Sequence, residues 1–283
     1  IRRLRPRAGD RILVAAGVYA DATVNFLGKD LHVRSLAGPA ATTIVAPPAG
    51  AVGAPAIVFE SGESESAVLD GFTITGGTAG GLVCRGASPV VRDCVVTGNE
   101  GVDGGGVYAE LSGVELVDCV INANGLGAAR GGGLFFTMSG AKVTRCEIMG
   151  NGAPGSTRGG GVYLEHQGVL FRECGVSDNH GAQGAGVFVR GTPPAGPTVF
   201  RQCTLSDNAS SGDGGGLYLE SGSAVLRDTL VMRNTVSDGR WGGGLSVDGG
   251  ELTCERTVVS DNSAGHGGGA HVEVGTALFR ECT

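Results

Sequence analysis

The sequence predicts an all-β fold, a right-handed parallel β-helix whose three sheets wind through about nine or ten coils. Three observations lead to this prediction: a unit of 25 to 30 residues recurs, each unit holds three short apolar segments, and each segment ends in a turn signal. The unit is clearest in residues 159–179. Its last glycine recurs at Gly81, Gly106, Gly133, Gly161, Gly186, Gly216, Gly244 and Gly269. Such a period is typical of solenoids, in which each repeat packs only on its neighbours.

Composition excludes several other classes of protein. Glycine accounts for 54 of 283 residues without a Gly-X-Y period, so the chain is not collagen-like. Apolar residues make up 41% of the chain, which argues against disorder. No apolar run reaches the roughly 18 residues of a membrane helix, so we expect no membrane span. The net charge of −7 offers no electrostatic basis for binding nucleic acid.

The chain divides into two regions by regularity. Residues 1–60 are predicted to form an N-terminal cap and the first irregular coils, and residues 61–283 one continuous solenoid. The sequence stops at Thr283 in the middle of a repeat, where an uncapped coil would expose unpaired strand groups. We therefore expect that the natural protein continues or that a partner covers this end, for example by end-to-end or side-by-side self-association.

Within each coil, the strand after the glycines has apolar residues at its first and third positions. Side chains alternate along a strand, so these residues are predicted to point inward. The pairs are Leu82/Cys84, Val107/Ala109, Leu134/Phe136, Val162/Leu164, Val187/Val189, Leu217/Leu219, Leu245/Val247 and Ala270/Val272. A second strand then ends at a cysteine position and a third runs to an asparagine.

The cysteines form the first ladder of like residues. One position is occupied in successive coils by Cys94, Cys119, Cys146, Cys174, Cys203, Thr229, Thr257 and Cys282. We interpret them as small buried side chains filling a corner. The parallel side chains of a stack suit a disulfide poorly, and no Cys-x-x-Cys pair of a zinc site occurs.

A second ladder lies five residues later. It consists of Asn99, Asn124, Asn151, Asn179, Asn208, Asn234 and Asn262. Asparagine tolerates left-handed backbone, and its amide can bond the copy in the next coil. The neighbouring Asp178, Asp207 and Asp261 suggest calcium as an alternative, but the nonapeptide spacing of calcium-binding β-rolls is missing. We predict no cofactor.

The pattern Cys-x-Val/Ile-x-x-Asn followed by Gly-Gly-Gly-Val/Leu resembles the right-handed β-helix repeats of the pectate-lyase-like superfamily. It is particularly similar to the repeats of polymorphic outer-membrane proteins and related bacterial surface passengers, over roughly residues 60–283. The resemblance implies an extracellular or cell-surface location and a polysaccharide cleft lined by the glycine-led strand. The fold itself carries lyases, hydrolases, adhesins and spacers alike.

The outward positions of the glycine-led strand hold the candidate ligand-binding residues. These are the aromatic row Tyr108, Phe135, Tyr163, Phe188 and Tyr218, and beside it Glu110, Glu165, Arg190 and Glu220. A bare row of five aromatic side chains would be an exposed patch of roughly several hundred Å², so we expect a contact surface for a polysaccharide or a partner protein. The alternative is cross-strand stacking that only stabilises the sheet.

A row of arginines on the second strand is expected to be a solvated structural face. It comprises Arg92, Arg172, Arg201, Arg227 and Arg280, each followed by an acidic or amide residue. Exposed ion pairs between neighbouring coils would contribute less than about 1 kcal/mol each.

No catalytic residue is predicted. Gly265-His266-Gly267 resembles a motif of the polygalacturonase branch, but the paired aspartates and the arginine–lysine partner that such hydrolases need are missing. The leading interpretation is a secreted or surface-displayed, non-catalytic bacterial protein that binds a polysaccharide or a partner protein. One alternative is a pectate-lyase-like lyase or hydrolase, for which Glu165, Arg190 and Glu220 are the only outward group that fits. The other is a structural spacer or assembly subunit.

Overall fold

The computed structural model describes residues 6–20, 22–48, 53–165, 168–191 and 196–283. Over these residues the regular elements are all β-strands, and each strand pairs in parallel with the strand one coil away. The chain is therefore a parallel β-helix, as predicted. Its second and third sheets have ten strands each, in agreement with nine or ten coils. Among the described residues no helix has the length and hydropathy to cross a lipid bilayer.

Three large sheets run along the axis of the helix. The first has the strands Arg11–Val14, His32–Ser35, Val68–Asp70, Val90–Arg92, Glu115–Val117, Lys142–Thr144, Leu170–Arg172, Thr198–Arg201, Ser223–Arg227, Glu251–Glu255 and Thr276–Arg280. The second has Gly17–Tyr19, Thr42–Val45, Thr73–Thr75, Val95–Thr97, Val120–Asn122, Glu147–Met149, Gly175–Ser177, Thr204–Ser206, Leu230–Met232 and Val258–Ser260. The third has Val24–Asn25, Ile57–Phe59, Leu82–Arg85, Val107–Glu110, Leu134–Thr137, Val162–Glu165, Val187–Arg190, Leu217–Leu219, Leu245–Val247 and Ala270–Val272.

A small fourth sheet lies in the loops that return to the glycines. Its three strands are His180–Gly181, Ala209–Ser210 and Thr235–Val236. Parallel bridges before the glycines continue this regularity, so the return loops stack on one another as the strands do.

One core runs the length of the coils. In a single coil, Leu134 and Phe136 of the third sheet, Val143 of the first and Ile148 of the second are at most 1% exposed. Burying an aliphatic or phenylalanine side chain stabilises the fold by about 1.5–3 kcal/mol relative to leaving it in water. The inward positions predicted for the glycine-led strand are confirmed in every coil over residues 82–247.

The asparagine ladder is fully hydrogen-bonded. Asn124 Nδ2 donates to Asn151 Oδ1 at 3.1 Å and to the Val96 carbonyl at 2.8 Å, and its Oδ1 accepts from Asn99. The same pattern repeats at Asn151, Asn179, Asn208 and Asn234, whereas at the ends Asn99 accepts from the Gly77 N–H and Asn262 donates to the Val231 carbonyl. The amide bonding is as predicted, but the left-handed residue is the one before each asparagine, such as Asp178 with φ 54°. The turn therefore precedes the asparagine, whose side chain then points into the corner.

The cysteine ladder occupies a second buried corner. All eight cysteines are free, and seven are buried. Cys94 Sγ lies 3.2 Å from the carbonyl of Arg92, and Thr229 donates its hydroxyl to the carbonyl of Arg227 at 2.9 Å. A small side chain with one donor therefore suits this position, which explains why threonine replaces cysteine in two coils. Burial raises the pKa of Cys94 to about 12.

Candidate binding face

The aromatic row lies on the outer face of the third sheet, outside the main core, as predicted. Tyr108, Phe135, Tyr163 and Phe188 pair in register, and neighbouring rings of the row have centroids 4.9–5.3 Å apart with interplanar angles of 4–23°. Stacked aromatic pairs of this spacing contribute about 0.5–1.5 kcal/mol each beyond their burial. The row therefore forms a second, smaller core beside the first.

The expectation that this row is an exposed patch is wrong. Phe135 is 2% exposed, Tyr163 1%, Phe188 0% and Tyr218 5%, and only Tyr108 is half-buried. Four of the five rings thus have no free face for a ligand. The stacking role that the sequence left as an alternative is the one that the geometry supports for these four side chains.

The return loops cover the row because the first glycine of each coil turns the chain back over the sheet. Gly104 and Gly214 have φ of 62° and 66°, in the left-handed region. A Cβ atom at Gly214 would lie 2.7 Å from Cβ of Tyr218, closer than real Cβ contacts. Only glycine therefore lets the loop pass directly over the outward aromatic residue.

The residue just before this glycine provides the cover. Arg130 lies over the ring of Phe135 at 4.8 Å and over that of Tyr163 at 5.6 Å. Its Nε and Nη2 donate to the two carboxylate oxygens of Asp103 at 2.8 and 2.7 Å. Hydrogen bonds to Asp103 raise the pKa of Arg130. Arg158 lies over Phe188 in the same way, at 5.9 Å. The solvent-facing layer of this part of the face therefore consists of charged side chains that lie on aromatic rings.

The charged row beside the aromatic row contains all four predicted charged residues. In register order its members are Arg85, Glu110, Thr137, Glu165 and Arg190, followed by Glu220. Arg190 Nε lies 2.9 Å from Glu220 Oε2, and Arg85 Nε lies 3.7 Å from Glu110 Oε2. Glu165 meets Arg130 instead, at 3.6 Å. Coils about 4.8 Å apart make this row roughly 24 Å long from Arg85 to Glu220.

Two tyrosine hydroxyl groups bind carboxylates of this face. Tyr108 donates to Glu110 at 3.1 Å, and Tyr218 donates to Asp248 at 2.8 Å. Burial, followed by the hydrogen bond to the carboxylate, raises the pKa of each tyrosine. Both hydroxyls therefore stay protonated near neutral pH and hold the carboxylates in place.

Among the residues that the structure describes, the cover is open at the N-terminal end of the row. A cavity of about 410 Å³ lies between the return loops at Thr78 and Asp103, with Arg85 and Tyr108 at its floor. The guanidinium group of Arg85 lies 5.1 Å from the ring centroid of Tyr108. Tyr108 is thus the one member of the predicted aromatic row that a ligand can reach.

Sequence reasoning missed the covering residues Asp103, Arg130 and Arg158. They lie in loops of variable length, in which counting residues from the asparagine does not reveal equivalent positions. The signal that could have found them is their constant place before the first glycine, because Asp103, Arg130 and Arg158 pair in one parallel ladder that continues to Gln183.

Comparison with known proteins identifies the architecture. The family model described as "Right handed beta helix region" matches residues 132–283. A comparison with curated protein sequences gives no significant match.

Several solved structures share the fold at low sequence identity. The mannuronan C-5 epimerase AlgE4 A-module of Azotobacter vinelandii has a TM-score of 0.53 and 12% identity, covering 96% of this chain and 87% of that one. The Dettilon tailspike protein has a TM-score of 0.54 and 13% identity, covering 95% of this chain and 62% of that one. Pectin methylesterase PemA from Erwinia chrysanthemi has a TM-score of 0.45 and 14% identity, covering 74% of this chain and 71% of that one. At such identities the likeness describes the fold alone.

Proposed function

The chain belongs to the right-handed β-helix family, and we propose that it is a non-catalytic, extracellular or cell-surface protein that binds a polysaccharide along the outer face of its third sheet. The observation that carries the proposal is the charged row, with its repeat of about 4.8 Å and the open cavity at its N-terminal end. A linear polymer suits this row because its successive units can contact side chains of several coils at the same time.

The chemistry of the row suits hydroxyl groups. Arginine and carboxylate side chains held at fixed separation offer donors and acceptors side by side, as at Arg190 and Glu220. Because ion pairs such as Arg190–Glu220 already hold these side chains, they lose less conformational freedom when a ligand binds. At the cavity, Arg85 and the edge of Tyr108 would take the end of the polymer or one of its sugar units.

Binding is favoured over catalysis because the carboxylates of this face are already engaged. Glu110 accepts from Tyr108, Glu220 lies beside Arg190, and both oxygens of Asp103 accept from Arg130. A general base needs a carboxylate free to take a proton from the substrate. The mannuronan epimerase that shares this fold adds support for a polysaccharide as ligand, and the tailspike of the same fold supports a location outside the cell.

The test compares Arg190→Gln with a matched control, Arg256→Gln. Both arginine side chains are 52% exposed and both lie beside a carboxylate, but Arg256 is in a turn after the first sheet. In affinity electrophoresis against a panel of neutral and acidic polysaccharides, Arg190→Gln should weaken retardation by about fivefold or more, as expected for one lost charge-assisted hydrogen bond. Arg256→Gln should bind like the wild type.

Two results would contradict the proposal. Equal binding by both variants, or no binding to any polysaccharide of the panel, would show that the third sheet is not a polysaccharide-binding face. Release of unsaturated or reducing ends during the same incubations would show that the protein is an enzyme.

A further inference from the structure

The outer face of the first sheet carries arginines that face each other across coils. Arg172 is in register with Arg201, and Arg201 with Arg227. Like charges directly opposite each other on neighbouring strands destabilise a sheet. Such a row needs nearby anions to offset the repulsion.

Anions are present at other positions of this row but not at its middle. Arg92 Nη2 lies 2.9 Å from Asp70 Oδ2, and Arg227 Nε lies 2.9 Å from Glu255 Oε2. These two ion pairs join neighbouring coils, but their acidic partners, Asp70 and Glu255, stand at the arginine position of the adjacent coil and not at the position after it. Arg172 and Arg201 are both exposed, and neither forms an ion pair within the described ranges of the chain.

The acidic residues that follow the arginines in sequence do not supply the missing anions. Glu173 lines a notch of about 290 Å³ on the second sheet together with Glu147. Position 202 is the neutral Gln202. Asp228 accepts from Nε and Nη2 of Arg256 at 2.7 and 3.1 Å. Asp228 thus accepts its hydrogen bonds from Arg256, although the nearby charges of Arg201 and Arg227 also lower the pKa of Asp228.

Aliphatic side chains accompany the two unpaired arginines. Leu170 and Val199 are half-buried, are in register with each other and point outward on the same strands. The exposed Lys142 is in register with Leu170 on the other side. We name Lys142, Leu170, Arg172, Val199 and Arg201 the basic patch.

We propose that the basic patch docks an acidic segment of a partner protein. Its carboxylates would bridge the guanidinium groups of Arg172 and Arg201, which in-register strands hold on Cα atoms about 4.8 Å apart. Its apolar side chains would lie on Leu170 and Val199. These two residues favour a protein segment over a polyanionic polysaccharide or a nucleic acid, for which cations alone would serve. Because the whole chain carries a net charge of −7, this local excess of cations would direct an acidic partner to this face.

The probe for the test is a fluorescein-labelled peptide of alternating glutamate and valine between glycine–serine flanks, followed by fluorescence anisotropy. The double variant Arg172→Glu with Arg201→Glu should bind it about tenfold more weakly or worse, because charge-assisted hydrogen bonds are lost and repulsion replaces them. Arg11→Glu with Arg240→Glu is the matched control, since it makes the same change in net charge at two other exposed sites. Its affinity should stay within about twofold of the wild type.

Folding of the variants is checked by urea unfolding, where Arg172→Glu alone should be at least as stable as the wild type because a like-charge pair is removed. Equal weakening by both double variants would reduce the effect to net charge and overturn the proposal. So would absence of binding by the wild type, or equal affinity for a glutamate–serine peptide or for oligogalacturonate. None of these outcomes bears on the third sheet, which lies on another face.

Discussion

Replacing Asn124 by alanine should be among the most destabilising single changes in the chain. Its side chain is fully buried and makes four hydrogen bonds: two donated, to Asn151 Oδ1 and the Val96 carbonyl, and two accepted from Asn99. After the substitution the Asn99 N–H is left buried without an acceptor, which costs about 1–3 kcal/mol. The three other lost bonds add about 0.5–1.5 kcal/mol each. The free energy of unfolding should therefore fall by roughly 2.5–7.5 kcal/mol.

The same coil offers a matched control two residues earlier. Asn122 is half-buried and its Oδ1 has no hydrogen-bond partner among the described residues, so Asn122→Ala should change stability by less than about 0.5 kcal/mol. The measurement is the urea midpoint followed by far-UV circular dichroism. If Asn124→Ala and Asn122→Ala shift the midpoint equally, the amide ladder does not stabilise the fold as argued.

Three further predictions concern turns, thiols and pH. Gly214→Ala should lower the urea midpoint by the equivalent of about 1–2 kcal/mol or more, since alanine is strained at this left-handed φ. Gly140→Ala, which meets no atom within 4 Å, should not, and equal shifts would contradict the covering role of the loop. Thiol titration of the native protein should modify at most Cys282, with all eight cysteines reacting in denaturant; fast labelling of more native thiols would refute their burial. Arg256 lowers the pKa of Asp228, so the ion pair stabilises the fold above the ordinary pKa of an aspartate, and this stabilisation is lost as pH falls through the lowered pKa. Asp228→Asn should therefore reduce the melting temperature near neutral pH and not at acid pH below that value, and an undiminished difference in acid would count against the ion pair.

The sequence allowed the coil to be predicted because its inward positions follow a strict period of two. Val162 and Leu164 alternate with Tyr163, and the aliphatic pair could only face the core. The asparagine ladder was equally predictable, because in each coil an asparagine such as Asn179 lies at the same distance after the cysteine position. In both cases the information lies within a few residues of the chain.

The covered state of Tyr163 could not be predicted in this way. It depends on Arg130, which belongs to the preceding coil and reaches the ring through a loop whose length differs between coils. Counting residues along strands says which side of the sheet a ring is on. It does not say what lies above that side, because the answer comes from a segment remote in sequence.

The two ladders also determine where this chain can change in length. From Cys174 to Asn179, and in each other coil, the interval between the ladders is five residues, so an insertion there would move one of two buried side chains out of its corner. Between the asparagine and the last glycine the interval ranges from seven residues, as in 179–186, to ten, as in 151–161. A protein built this way gains or loses whole coils, residues of the return loop, or residues between the last glycine and the cysteine position, where 186–203 spans 17 residues and 161–174 spans 13, while the interval between the corners stays constant. New surface can thus be added above the third sheet without disturbing the axis on which every other coil is stacked.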